Sequence, residues 1–233
     1  MRLLGTKTNL ATFRWDLIYL IAQLASDDRP GVSDLAPAVQ AVLAKVDTER
    51  AAYEQAEDAV IVAGALLDKK DQRRDKVLIA AGGVARATDA DIYKTLFPKL
   101  NPSLTARLTI DAESTEVGRI LGELAKLPAD NILRTTYEKV LADAEALVRK
   151  AGDESDQATT AFALQRSQLD RFKLTLDQQR LMTHGSLLIL LKSKSDADAF
   201  FRPTNTPPGE PAAKDTQAPE TPQASSATSS IRG

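Results

Sequence analysis

The side chains of this sequence offer few routes to chemistry. His184 is the only histidine and there is no cysteine, which removes thiolate nucleophiles, iron–sulfur clusters and all-cysteine zinc sites. A helical di-iron centre needs a Glu-x-x-His pair on each of two helices. Leu181 stands three residues before His184, and no second imidazole exists to complete such a set. His184 directly precedes Gly185, a spacing that predicts an imidazole satisfying the last carbonyls of a helix. Phosphate-cradling loops are also missing: there is no G-x-x-x-x-G-K-[ST] motif, and Gly82-Gly83 lacks the third glycine of a dinucleotide fingerprint. That pair predicts a helix end or a close helix crossing instead. Two acidic groups remain, Glu54, Glu57, Asp58 and Asp153, Glu154, Asp156. Paired carboxylates do acid–base work where a cleft separates their pKa values; on a helix face they read as solvated charge. No catalytic, cofactor-binding or metal-ligating residue is assigned.

The candidate interaction residues are of other kinds. Lys69, Lys70, Arg73 and Arg74, with Lys76, form the densest cationic group. Asp68, Asp71 and Asp75 interleave with them and no aromatic accompanies them for base stacking. With a formal net charge of -2, the reading is a charged helix surface and no nucleic-acid partner. Tyr93-x-x-Leu96-Phe97-Pro98 brings Tyr93 and Phe97 to a helix end before a proline, as a compact cap on a bundle. It resembles a motif of all-helical bacterial proteins; the likeness covers these few residues and implies no activity.

The elements that must position these residues are set by the prolines. Five lie in the body, at positions 30, 37, 98, 102 and 128, and the rest crowd between Pro203 and Pro222. Proline breaks helix interiors, so long helices fit in the proline-free runs 38–97 and 129–202. In the first, Leu35, Val39, Val42, Val46, Tyr53, Ala56, Val60, Ala63 and Leu67 recur in steps of three and four, with Glu49 the one break. In the second, Leu133, Tyr137, Val140, Ala144, Leu147 and Ala151 do the same, continued by Ala158 and Phe162. Such spacing predicts two long, coiled-coil-like helices packed side by side. Gly152 and the charged stretch 68–76 are places where either could break.

Shorter elements surround them. Leu10 to Leu24 gives an amphipathic first helix, and Ser33 or Asp34 a cap for the second. A short helix spans 89–97, a loop 99–110, and another helix 113–127. Ser186 to Leu191 is apolar on every side and predicts the most buried helical segment. If the long helices reverse between 98 and 128, the cations of 69–76 face Asp153, Glu154 and Asp156, while Leu35 and Val39 face Leu187 to Leu191.

Few aromatics and abundant Ala, Leu, Glu, Lys and Gln point the same way. The fold class is all-α, a helical bundle over residues 1–202 built on two long antiparallel helices with shorter packing helices. Residues 203–233 are Pro, Ser, Thr and Ala-rich, too polar to offset the entropy of ordering, and predict a disordered tail. Its end, Ser229-Ser230-Ile231-Arg232-Gly233, resembles the C-terminal docking peptides of encapsulin cargo proteins. Ser229 stands where those carry glycine, and Ala227 and Thr228 replace their larger aliphatics. The resemblance implies docking to a shell through Ile231 and Arg232.

Asp16 and Gln23 interrupt the first apolar stretch, which argues against a signal peptide. No run approaches ~20 apolar residues, so no transmembrane segment is expected and the location is read as cytoplasmic. Three functions compete. The first is a non-catalytic adaptor or scaffold meeting a protein partner or itself. The second is a cargo protein docked through its tail, and the third an enzyme with a carboxylate-based site.

Overall fold

A computed structural model describes residues 1–202. Every regular element among them is helical. The order is α1 (Leu10–Ala25), a 3-10 turn (Ser33–Leu35), α2 (Ala36–Thr88), α3 (Ala90–Leu96), α4 (Pro102–Thr105), α5 (Ile110–Leu124), a π turn (Arg134–Glu138), α6 (Lys139–Leu191) and α7 (Lys194–Ala199). With their leading turns the two long helices reach 56 and 58 residues, on the order of 80 Å each. Neither breaks at Gly152 or within 68–76. No helix among the described residues is long and apolar enough to cross a membrane.

α2 and α6 pack antiparallel, with the rings of Tyr53 and Phe162 5.2 Å apart and Arg74 on Glu145. Two separate apolar clusters cover the ends. At one, α1 and α7 close over the start of α2 and the end of α6, burying Phe13, Leu17, Leu20, Leu24, Val39, Leu176, Leu187 and Phe200. At the other, α3 and α5 close over the end of α2 and the start of α6, burying Leu78, Leu96, Phe97, Val117, Ile120, Leu133 and Leu141. Between them the pair stands alone. α2 buries nothing from Val46 to Arg74, and α6 nothing from Ala151 to Leu169, a stalk on the order of 30–40 Å. Its seam is the half-buried series Tyr53, Ala56, Val60, Ala63 and Leu67 against Ala158 and Phe162.

The topology runs through the same course twice. A short helix, a tight turn, a 53-residue helix and a terminal short helix occur in residues 10–96 and again in 110–199. Leu17, Leu20 and Leu24 of α1 and Val117, Ile120 and Leu124 of α5 are buried with identical spacing. Each short helix therefore docks on a seam to which both halves contribute.

Several expectations need correction. Neither Ser33 nor Asp34 caps α2; the 3-10 turn leads straight in, and no side chain caps that helix. The loop expected over 99–110 contains α4. On α6 Ala144 and Ala151 are buried as expected, but Leu141 and Val148 take the inward places read for Val140 and Leu147, with Val140 exposed; the π turn adds a residue to the turn just before Leu141 and shifts the pattern there. His184 caps nothing, since α6 continues to Leu191. Its Nε2 lies 2.8 Å from Asp198 Oδ1 on α7, and its ring meets Phe201 edge-on at 5.5 Å. Within 186–191 only Leu187 is buried, and Ile189 is 78% exposed. α1 and α7 cover one side of that segment, and nothing among the described residues covers the other. The tail, including Ile231 and Arg232 and the docking motif read there, lies outside the described residues.

Candidate functional site

The expected cationic surface divides in two. Lys69 and Arg73 are exposed, as is Lys76, and Lys70 is half-buried. Arg74 is wholly buried. Its place one turn before the buried Leu78 puts it on the inward face of α2, where α5 crosses onto the long pair. Its guanidinium donates to Asp71 Oδ1 at 2.6 Å, to Ser114 Oγ at 2.8 Å and to Glu145 Oε2 at 2.7 Å. Glu113 Oε2 lies 2.9 Å from Nη2. Arg149 adds a second cation, donating to Glu145 Oε1 at 2.7 Å. Residues from α2, α5 and α6 thus meet at one buried guanidinium.

The acids expected to face this group are elsewhere. Arg74 stands opposite Glu145, so the cations of 69–76 lie against the 140s. Asp153, Glu154 and Asp156 are exposed further along the stalk. Among the described residues no ion pair joins the two groups. The apolar half of the register stands: Val39 and Leu187 share a cluster, with Leu35, Leu188 and Leu191 packed against it.

Two carboxylates of the cluster behave oppositely. Burial pushes Glu145 up, but hydrogen bonds from Arg149, Arg74 and Ser114 outweigh it and hold the group below the usual carboxylate range. Glu113 is pushed up to about 8, first by burial; Arg74 opposes, and the facing carboxyls of Asp75 and Asp71 reinforce the rise. Its side chain is 1% exposed. No donor is directed at either of its oxygens, nor at Oδ1 of Asp75; the nearby Arg74 Nη2 is an ion-pair contact off the N–H axis. Oxygens of Asp71, Asp75 and Glu113 lie within 4.8 Å of one another. Beside the cluster an open groove of about 430 Å³ runs between α5 and α6, lined by Asp111, Ser114, Arg149 and Asp153 among others.

The far end carries a related arrangement. Arg180 on α6 pairs with Asp177 at 2.6 Å and with Asp16 of α1. Both long helices place the acid one turn before the arginine in Asp-Gln-x-Arg, at 71–74 and 177–180. In each case a short helix of one half supplies an acid to the arginine of the other. Here the carboxylates are satisfied: the N–H groups of Leu4 and Gly5 donate to Asp177 at 3.1 and 2.7 Å. Neither cluster is anticipated by the sequence reading. The repeated tetrad was the available signal, and it lay hidden in a charge run that reads as solvated.

Tyr93 and Phe97 pack as the cap that was expected, with ring centroids 5.5 Å apart. Phe97 is buried in the distal core, and Arg86 donates to the Tyr93 hydroxyl at 2.6 Å. Gly82 is the close crossing: a Cβ there would sit 2.1 Å from Pro102 Cγ, whereas one at Gly83 would meet nothing. Comparison with protein-family models, with curated proteins and with solved structures gives no match to this chain.

Proposed function

We propose that this protein is a non-catalytic scaffold that works as a self-associated rod, two copies meeting along the outer face of α6. One observation carries the reading. Leu174, Leu181, Met182 and Ile189 are 56%, 53%, 60% and 78% exposed, and their spacing puts them within about 100° of one another around the helix. Leu164, also exposed, falls in the same sector. The buried positions Leu176, Arg180, Thr183 and Leu187 occupy the opposite side. α6 therefore carries, opposite its buried face, an exposed row of apolar side chains interspersed with Ser167, Arg171 and Gln178, and the described residues supply partners for the buried face.

A second copy is the occupant this stripe fits. A two-fold axis at its centre makes a single helix face self-complementary, and Gly185 leaves room for close approach. The formal charge of -2 sets little repulsion against pairing. Paired in this way, the stalk would hold the capped ends of the rods at fixed spacing, presenting the end modules to other proteins.

The absence of native cysteine makes a direct test possible. Gln178→Cys places a thiol within the stripe, and Asp156→Cys places one on the exposed stalk. A short bismaleimide should join Gln178→Cys chains into covalent dimers at micromolar concentration and leave Asp156→Cys chains single. Equal yields at the two positions, or none at 178, would refute the interface.

A further inference from the structure

We propose that Asp71, Asp75 and Glu113 bind one hard divalent cation, of the Mg²⁺ or Mn²⁺ class, where α5 docks on α2. Asp71 and Asp75 are one turn apart on the same face of α2. Glu113 meets them from the first turn of α5, and the three present oxygens within 4.8 Å of one another. An acidic group alone would not single out a ligand. Glu113 adds the second observation: a carboxylate buried to 1% exposure, directed at two other carboxylates, with the ion-pair contact of Oε2 to Arg74 as its one cationic neighbour and no hydrogen-bond donor aligned on either oxygen. Asp75 Oδ1 is buried and donorless in the same space. Buried polar groups are satisfied as a rule, and a buried anion left without a donor is costly.

The contrast between the two ends strengthens the case. Asp177, counterpart of Asp71, receives two backbone N–H groups as well as Arg180. Counting on from the repeated tetrad, the place of Asp75 is taken there by Leu181. Only the distal end adds a carboxylate there, and one of its oxygens, Asp75 Oδ1, is buried without a donor. Charge points the same way. Arg74 and Arg149 supply two positive charges against the carboxylates of Asp71, Asp75, Glu113 and Glu145, so that an ion displacing the Glu113 proton leaves two negative charges uncompensated for it to neutralise. The donors are all carboxylate oxygens, which suits Mg²⁺ or Mn²⁺ completing an octahedron with water and disfavours softer metals. Asp71, 25% exposed at its side chain, gives an ion a way in. A bound ion would lock α5 onto α2.

The test uses the full chain, stripped with chelator and titrated with MnCl₂. Free Mn²⁺ is followed by its paramagnetic resonance signal and the melting temperature by circular dichroism. One ion per chain should bind with a midpoint at or below about 1 mM, and the melting temperature should climb with the logarithm of free Mn²⁺. Glu113→Gln, nearly isosteric, should weaken binding by about tenfold or more while the metal-free protein melts no lower than the parent. Asp75→Asn should weaken binding likewise, and Glu154→Gln on the exposed stalk should leave it unchanged. Absence of saturable binding up to about 10 mM, well beyond the weakest usual calcium-module range, would overturn the site. So would undiminished binding in both Glu113→Gln and Asp75→Asn.

Discussion

Arg74 is the residue on which the distal end depends, and its neighbour shows why sequence position alone misleads. Arg73 and Arg74 are adjacent and chemically identical, yet one is exposed and the other sealed among three carboxylates. Removing a buried partner leaves unpaired charge in a low-dielectric site and costs about 3–5 kcal/mol. Arg74→Met should therefore destabilise by about that amount in urea unfolding, and Arg73→Met by less than about 0.5 kcal/mol. Equal effects would mean that the cluster contributes nothing. Glu113 supplies a pH signature. Its folded pKa of about 8 lies above the ordinary 4.5 because of burial and the facing Asp75 and Asp71, against the pull of Arg74. Between those values the folded chain holds a proton that the unfolded chain has released. The associated stability is complete below pH ~4.5 and lost as pH rises through ~8. In chelator the melting temperature should fall between about pH 4.5 and 8 and level off above that, and Glu113→Gln should flatten that fall. An identical slope in the two proteins would show that another group titrates.

At the scale of elements, the distal end depends on a glycine. α4 presses Pro102 against α2 at Gly82, where a Cβ would lie 2.1 Å from the proline ring and 3.2 Å from Phe97. Gly82→Ala should push α4 and Phe97 off α2 and lower stability by roughly 1–3 kcal/mol. Gly83→Ala has open space and should raise it by up to about 1 kcal/mol through helix propensity. Thermal melts of the two variants decide it: movement in the same direction would contradict the close crossing. The long helices were legible because proline placement and three-four spacing are local, and the seam from Tyr53 to Leu67 lies where that spacing puts it. The acid partners were not. Glu113 comes from a helix about forty positions away, and only the way α5 crosses the pair brings it to Arg74. The slip from Val140 to Leu141 was equally hidden, since no residue type announces a π turn.

For the whole molecule, the architecture is a rod with a core at each end and a bare two-helix stalk between them. The half-buried seam of Tyr53, Ala56, Val60, Ala63 and Leu67 against Ala158 and Phe162 buries little apolar area, so the pairing of the long helices rests mainly on the two buried clusters at their ends. The all-apolar run at 186–191 predicts burial on every side. The chain satisfies that on one side, through Leu187, and leaves Ile189 78% exposed on the other. The self-association proposed above would cover Ile189. Sedimentation equilibrium of the full chain at micromolar concentration, beside Leu181→Lys with Ile189→Lys, tests it most directly. These positions are exposed and touch neither core, so the variant should keep its helical signal and melt as a monomer. The parent should sediment as a dimer and the variant as a monomer; a parent that sediments as a monomer throughout, or a variant as dimeric as the parent, would contradict self-association along α6.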